Sequence, residues 1–229
     1  MAQEVATNFA ASKPSPVFQQ TLGANPQESL AEGIGSSYGV IGYKGKVWTL
    51  RYRGEKHTFV RPDDNTPIGY IDVIILRQAR VKSKSYYPKY DPASSEGERP
   101  ICASLDGITP DDDVQQKQSE ACAMCPRNVW KTNAEGRKTR ECTDYKRLAV
   151  LLMPAQTKAM LGTPLMEPVF LRIPPASLNA LGTFGDRMNA MGWHYSSFIT
   201  RISFDPTQPH PEMVFKELQG LTDAEAPVV

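Results

Sequence analysis

The chain has 229 residues, of which 40% are hydrophobic and 22% are charged, and its formal net charge is +1. This length supports one sizeable domain with an elaboration, or two small ones. No run approaches the roughly 18 apolar residues of a membrane span, and the N-terminal residues contain no apolar signal-peptide core. We therefore exclude a membrane-spanning protein and a secreted disulfide scaffold, and we expect a cytoplasmic protein without a membrane partner.

The first half of the chain predicts a loose arm followed by strands. Residues 1–32 are rich in Ala, Ser, Pro and Gln and predict a flexible N-terminal arm. Residues 38–61 alternate apolar and polar side chains between glycines, as the strands of hairpins do. Residues 69–87 begin as an apolar run and continue as an alternating basic strand.

The second half predicts further strands and one late helix. The strand-like segments are residues 148–153, 168–173, 196–206 and 212–218. Residues 174–192 place Leu, Phe and Met at helical intervals, with Ser177 as a candidate N-cap. Residues 219–229 form a short tail. Six or seven strands with one late helix predict a mainly β fold built on a small barrel.

The four cysteines fall in one window of 41 residues, and none occurs elsewhere. They are Cys102, Cys122, Cys125 and Cys142. Four thiolates satisfy the tetrahedral coordination of a structural zinc ion and leave no open position for chemistry. A thioredoxin-like redox pair does not need two further cysteines nearby, and two disulfides imply secretion. The spacing therefore favours one structural Zn²⁺ in a subdomain at about residues 93–147, inserted into a loop of the β domain.

Positive charge is concentrated in two blocks that also contain aromatic residues. Residues 38–92 carry eleven Lys and Arg against five Asp and Glu, and residues 127–147 carry seven against three. Cations for phosphates and flat rings for unpaired bases are what single-stranded nucleic acid requires. The alternative is that the rings are half-buried strand residues and the cations are solvated. The candidate contacts are Trp48, Arg51, Arg53, Arg80, Lys82, Lys84, Tyr86, Tyr87, Lys89, Trp130 and Lys131.

Several segments carry a resemblance to a known family. IGYKGKVWTLRYRG, VIILRQARVKSKSYY, CAMCPRNVW and FITRISFDP resemble the single-stranded DNA-binding, helix-destabilising proteins of tailed phages. The resemblance covers roughly residues 33–218 and implies an OB-like domain with a zinc-binding insertion. It implies a protein that coats and protects DNA strands during phage replication or recombination in the cytoplasm of an infected bacterial host. The partners it implies are single-stranded DNA, replication proteins of the same phage, and further copies of the chain along the DNA.

Two other classes of function were considered. The glycine-rich segment GIGSSYG lacks the lysine and the spacing of a phosphate-binding loop. The three aspartates at residues 111–113 lack a second acidic cluster that could complete a two-metal nuclease site. We therefore predict a binding protein and not an enzyme. The alternative that remains is a zinc-ribbon transcription or adaptor protein, which would bind duplex DNA or a protein partner.

Overall fold

Alternating apolar side chains place most of the described chain in β-strands. The structure is a computed structural model that describes residues 38–87 and 100–222. The strands are β1 (Val40–Lys44), β2 (Val47–Tyr52), β3 (Glu55–Thr58), β4 (Tyr70–Gln78), β5 (Ser83–Tyr86), β6 (Cys102–Ser104), β7 (Lys131–Thr132), β8 (Lys138–Thr139), β9 (Thr143–Leu152), β10 (Val169–Ile173), β11 (Phe198–Phe204) and β12 (Met213–Gly220). The helices are α1 (Pro154–Leu161) and α2 (Leu178–Ala190), with short 3-10 turns elsewhere. The prediction of a mainly β fold is confirmed.

One large sheet contains ten of these strands and curls into a half-barrel. Its main path runs β12-β11-β4-β9-β10-β1-β2-β3, while β5 pairs with β6 and with the start of β9. Among the strand pairs of the described residues, only β1–β10 is parallel. The ladders of the described residues do not join β12 to β3, so the main path of the curled sheet ends in two edge strands. Strands β7 and β8 form a separate small hairpin.

The inner face of the sheet carries the main core. Alternate residues of β2, β4, β9, β10 and β11 pack there with Phe184 and Met188 of α2. Trp48 is wholly buried in this core, where its ring stacks on Phe204 with 4.4 Å between centroids. Because an aromatic side chain that is removed from water stabilises the core strongly, Trp48 is a folding residue here. It has no face open to a ligand, and we assign it to the core instead of to DNA contact.

The N-terminal hairpins agree with the sequence pattern. Strands β1, β2 and β3 follow one another as an antiparallel meander within the predicted segment 38–61. Arg53 and Gly54 both have positive φ, at 50° and 84°, which is the conformation that a tight two-residue hairpin turn requires. Gly45, with φ 58°, lies in the preceding turn. Gly42, in contrast, lies inside β1 opposite Thr49 and does not break the strand.

Helix content differs from the prediction in two places. Helix α1 was not predicted, because a segment of eight residues with Pro154 at its start shows little apolar periodicity. Helix α2 lies where the pattern placed it, but Ser177 does not cap it. The Ser177 hydroxyl instead accepts a hydrogen bond from the Met213 backbone N–H at 2.8 Å. This bond ties the start of α2 to β12, so a tertiary contact replaces the local cap.

The predicted segment 69–87 is two strands with a break at residues 79–82. Strand β4 pairs with β11 and β9, with an irregularity between Ile75 and Arg77, whereas β5 pairs with β9 and β6. The predicted arm, Lys89 and residues 223–229 of the tail lie outside the described residues. No helix in residues 38–87 and 100–222 is long and apolar enough to cross a membrane.

Candidate functional site

A row of side chains crosses the outer face of the sheet, opposite the main core. Strand register places Val40 between Arg51 and Phe170, and places Ala149 between Phe170 and Arg77. Because paired residues of adjacent strands point to the same side, all five side chains share the outer face. Arg51 and Arg77 are exposed, at the two ends of the row.

The middle of this row is apolar and open to solvent. Phe170 is 41% exposed and Val40 is 43% exposed, although both lie in the interior of the sheet path. Tyr38 is 56% exposed and meets Phe170 edge-on, with ring centroids 5.5 Å apart. Large apolar side chains grouped on an exposed sheet face indicate a binding surface. Here the group lies between two cations.

Two further arginines extend the same face toward β5. Arg172, which pairs with Arg147 across β10 and β9, lies 3.8 Å from the ring centroid of Tyr145 and 5.7 Å from that of Tyr87. It donates hydrogen bonds to the Tyr87 hydroxyl at 3.0 Å and to Ser85 Oγ at 2.5 Å. These contacts hold the guanidinium plane in a fixed position, as cation–π stacking favours.

Arg147 is held in a similar way. Its Nε donates to Ser83 Oγ at 3.0 Å, and its terminal nitrogen donates to the Leu105 carbonyl at 3.3 Å. We call the set Arg51, Arg77, Arg147, Arg172, Tyr38, Val40 and Phe170 the arginine surface.

The arginine surface differs from the other basic regions in its ion pairing. Among the described residues, none of its four arginines forms a salt bridge with a carboxylate. Arginines elsewhere in the described residues form ion pairs, such as Arg201 with Asp72 at 2.7 Å and Arg127 with Glu141 at 2.6 Å. Uncompensated guanidinium groups on one face produce a positive potential that attracts anions.

Some of the contacts predicted from sequence lie on or beside this surface. Arg51 belongs to it, and Tyr87 is 39% exposed beside Arg172. Arg80 is exposed. The Lys82 side chain is 60% exposed, with its ammonium group 3.5 Å from Asp144. Arg53 is exposed in the β2–β3 turn, where its guanidinium lies over Tyr52.

Others are committed to contacts inside the cysteine segment. The side chain of Lys84 is only 15% exposed, and its ammonium group lies 2.6 Å from Asp144. Tyr86 is half-buried, with the Arg127 guanidinium 5.0 Å from its ring centroid. Trp130 and Lys131 are both exposed, but the ring of Trp130 is covered by Arg140 at 4.7 Å, and Lys131 pairs with Glu141 at 3.2 Å. Lys84 and Tyr86 therefore contribute to folding of the segment, whereas Trp130 and Lys131 remain largely exposed beside their partners.

Sequence reasoning missed Arg147, Arg172, Phe170, Tyr38 and Val40 as surface residues. The sequence predicted strands at residues 148–153 and 168–173 without an outer face, whereas the residues of VFLRI alternate between the core and the outer face. That alternation was present in the sequence as Phe170 and Arg172 between Val169, Leu171 and Ile173. The sequence pattern did not, however, reveal the strand register that brings these side chains beside Arg51 and Arg77.

Asp144 is the acidic centre that connects the cysteine segment to the sheet. Burial by itself raises the pKa of this carboxyl, but hydrogen bonds from Lys84 and Arg140 outweigh it, and the pKa lies below its usual range. These two partners are at least as buried as Asp144, whose side chain is 15% exposed, with side-chain exposures of 15% for Lys84 and 12% for Arg140. A carboxylate in this position remains charged and holds two cations in place.

The four cysteines line one small cavity of about 20 Å³, which has room for roughly one water-sized sphere. All four are free thiols. Cys102 starts β6, Cys122 and Cys125 flank a 3-10 turn, and Cys142 immediately precedes β9. Backbone hydrogen bonds fix these positions, including one from Cys142 N–H to the Arg127 carbonyl at 2.8 Å and one from Cys122 N–H to the Ile108 carbonyl at 2.8 Å.

The cysteine side chains do not form a metal-binding cluster as they stand. Within residues 38–87 and 100–222, no three His, Cys, Asp or Glu side chains are arranged so that they could hold a metal ion. Burial raises the pKa of the Cys122 thiol, and it raises that of Cys142 to about 11. The cavity thus gathers the four residues, but metal binding requires the sulfur atoms to move closer together and to lose protons.

The aspartate run near this cavity has a structural contact. The Asp111 carboxylate accepts a hydrogen bond from the Leu105 backbone N–H at 2.8 Å, and Asp111 N–H donates to the Ala103 carbonyl. Asp106 similarly accepts bonds from the backbone N–H groups of Ile108 and Thr109, which lower the pKa of its carboxyl. These carboxylates shape the loop that follows β6.

Comparison with known proteins gave no match. No family model, curated protein or solved structure was found to be similar to this chain.

Proposed function

We propose that the chain binds single-stranded DNA without sequence preference and coats and protects DNA strands. The observation that carries this proposal is the arginine surface, where four arginines without acidic partners among the described residues surround exposed apolar and aromatic side chains. Phosphates bind to such cations through charge, and bases stack on exposed rings. Neither interaction reads base edges, so the binding is independent of sequence.

The positions of the side chains support a division of labour. Arg51 and Arg77 lie at opposite ends of the row, where successive phosphates of one strand can meet them. Phe170 lies between them in the row and packs edge-on against Tyr38, and both rings are more than 40% exposed, so that bases can meet them. A duplex keeps its bases stacked inside and offers only phosphates to this surface. The rings therefore favour unpaired strands.

We further propose that Cys102, Cys122, Cys125 and Cys142 bind one structural Zn²⁺. The support is the donor set, which consists of four free thiols around one cavity with room for a small ion. Four thiolates would supply a closed site that stabilises the segment and performs no chemistry. Metal analysis of freshly isolated protein should give close to one zinc per chain, and disulfides between these cysteines would contradict the assignment.

The biological setting follows from the resemblance in sequence. We propose an OB-like domain at residues 33–218 with the cysteine segment as its insertion, acting in phage replication or recombination in the host cytoplasm. The alternative, a zinc-ribbon adaptor, is favoured by exposed apolar side chains on the cysteine segment. They are Ile108, Met124, Val129 and Trp130.

The decisive experiment compares binding to single-stranded and duplex oligonucleotides of equal length and sequence. We expect clear preference for the single strand, lowering of the melting temperature of a long AT-rich duplex at low salt, and loss of both effects at high salt. Saturating protein should also protect single-stranded DNA from an added nuclease. Equal affinity for both forms, with no change in melting, would favour the adaptor.

A further inference from the structure

Strand β5 faces the cysteine cavity on one side and the arginine surface on the other. Lys84 and Tyr86 line the cavity. The alternate residues Ser83, Ser85 and Tyr87 point the other way, because their hydroxyl groups accept hydrogen bonds from Arg147 and Arg172. This is the alternation expected of a strand. One short strand is thus in contact with both candidate sites.

The neighbours of β5 are the strands that hold two of the cysteines. On one side, Tyr86 of β5 pairs with Cys102 of β6. On the other side, Ser85 pairs with Thr143 of β9, the residue that follows Cys142. A movement that brings Cys102 and Cys142 toward a common ion must therefore act on both edges of β5.

Two of the three hydroxyl groups that meet the arginines, those of Ser83 and Ser85, are buried, so their contacts respond to the position of β5. Ser83 is fully buried and Ser85 is 1% exposed. A buried hydroxyl cannot exchange its arginine partner for bulk water without loss of free energy. If β5 shifts, Arg147 and Arg172 must shift with it or lose these bonds.

We propose that β5 couples the cysteine cavity to the arginine surface, with Ser85 and Tyr87 as positioning residues for Arg172. This inference rests on the proposed function. Closing the four cysteines around Zn²⁺ fixes β5, and β5 then presents Arg147 and Arg172 in the geometry that a DNA strand binds. Because coupling between two binding sites is reciprocal, bound single-stranded DNA must tighten zinc binding by the same factor.

The test uses the full chain with Zn²⁺ and a labelled oligo(dT) as probes. The dissociation constant for oligo(dT) is measured on zinc-loaded protein and again after a chelator has removed the metal. We expect affinity to fall about fivefold or more on zinc removal, within the usual range of coupling between sites. The zinc dissociation constant, measured by competition with a chelating indicator, should fall by the same factor when oligo(dT) is bound.

Two variants identify the route of this coupling. The double variant Ser85→Ala/Tyr87→Phe removes both hydroxyl groups that meet Arg172 and keeps the Tyr87 ring. It should still take up zinc, but the ratio of its oligo(dT) dissociation constants without and with zinc should fall toward one. Arg51→Ala, the matched control, removes a cation that lies on β2, away from β5. It should weaken oligo(dT) binding equally in the zinc-loaded and zinc-free protein, so the ratio of the two dissociation constants should not change.

The outcomes separate this inference from the function it rests on. Oligo(dT) binding that is unaffected by zinc removal, protein that takes up no zinc, or full coupling in the double variant would overturn the role of β5 and leave DNA binding standing. No binding to oligo(dT) in either state would overturn the proposed function, and the coupling with it.

Discussion

Replacing Arg51 and Arg77 together by Ala tests the arginine surface most directly. Both side chains are exposed at the ends of the outer-face row. Each contact between a cation and a single-strand phosphate contributes about 0.7 to the slope of log affinity against log salt concentration. Four arginines that each neutralise one phosphate should give a slope of about −2.8, and the double variant should flatten the slope by about 1.4.

The same arithmetic gives the size of the effect in a binding titration. Between about 50 and 200 mM salt, the four contacts predict a loss of affinity of about 50-fold, whereas the two that remain predict about sevenfold. Fluorescence anisotropy with a labelled oligo(dT) at four or five salt concentrations measures the slope. Lys158→Ala, on the exposed side of α1, is the control with one lost charge, to be compared with each single arginine variant. An unchanged slope in the double variant, or an equal change in the control, would refute the placement of the binding surface.

Three further substitutions test the surface and its supports. Phe170→Ala should weaken oligo(dT) binding by about 1–3 kcal/mol with little change in the melting temperature of the protein. A lower melting temperature with unchanged oligo(dT) binding would instead make Phe170 a packing residue. Asp144→Asn leaves Lys84 and Arg140 without their charged partner and should lower the free energy of unfolding by about 1–3 kcal/mol, measured by chemical denaturation. Because folding lowers the pKa of Asp144, its carboxylate stabilises the fold fully above the unfolded pKa of about 3.9, and this stabilisation is lost as pH falls through the folded pKa. The free energy of unfolding of the variant should therefore fall less at acid pH than that of the wild type. Gly107→Ala should lower the free energy of unfolding by about 1–3 kcal/mol, because a Cβ there would lie 2.4 Å from the Lys82 carbonyl oxygen. The control Gly136→Ala has a similar φ and no atom within 4 Å, so it should cost about 1 kcal/mol. Equal losses in the two variants would contradict this steric explanation.

Local patterns in the sequence predicted the strands, because a strand that buries one face must alternate. The meander at residues 38–61 and the strands near 148–153, 168–173, 196–206 and 212–218 are present in the structure. Helix α1 was missed because its burial depends on the surrounding sheet and not on its own periodicity. The same limit applies to Trp48, since a tryptophan near Arg51 and Arg53 has the composition of a ligand contact until the sheet places it against Phe204.

The candidate site was harder to predict than the fold, because it depends on which strands are neighbours. Arg51 was identified by its chemistry alone. Phe170 lies beside Val40 only through the parallel pairing of β1 with β10, two strands that are far apart in the chain. No local spacing encodes such a pairing, and a shift of one residue would send the row to the core face.

Ion pairs distinguish Arg127, Lys131 and Arg140 of the second basic block from Arg147, which lies on the arginine surface. In the second block, Arg127 and Lys131 share Glu141, and Arg140 shares Asp144 with Lys84. Each of these cations has a carboxylate partner, and the pairs with Asp144 link the cysteine segment to β9. The arginines on the outer face come instead from β2, β4, β9 and β10, and the described residues offer them no carboxylate. A net charge of +1 is therefore compatible with a strongly basic face, because its compensating acids lie elsewhere in the chain. Attraction of a polyanion depends on this local arrangement more than on the total charge.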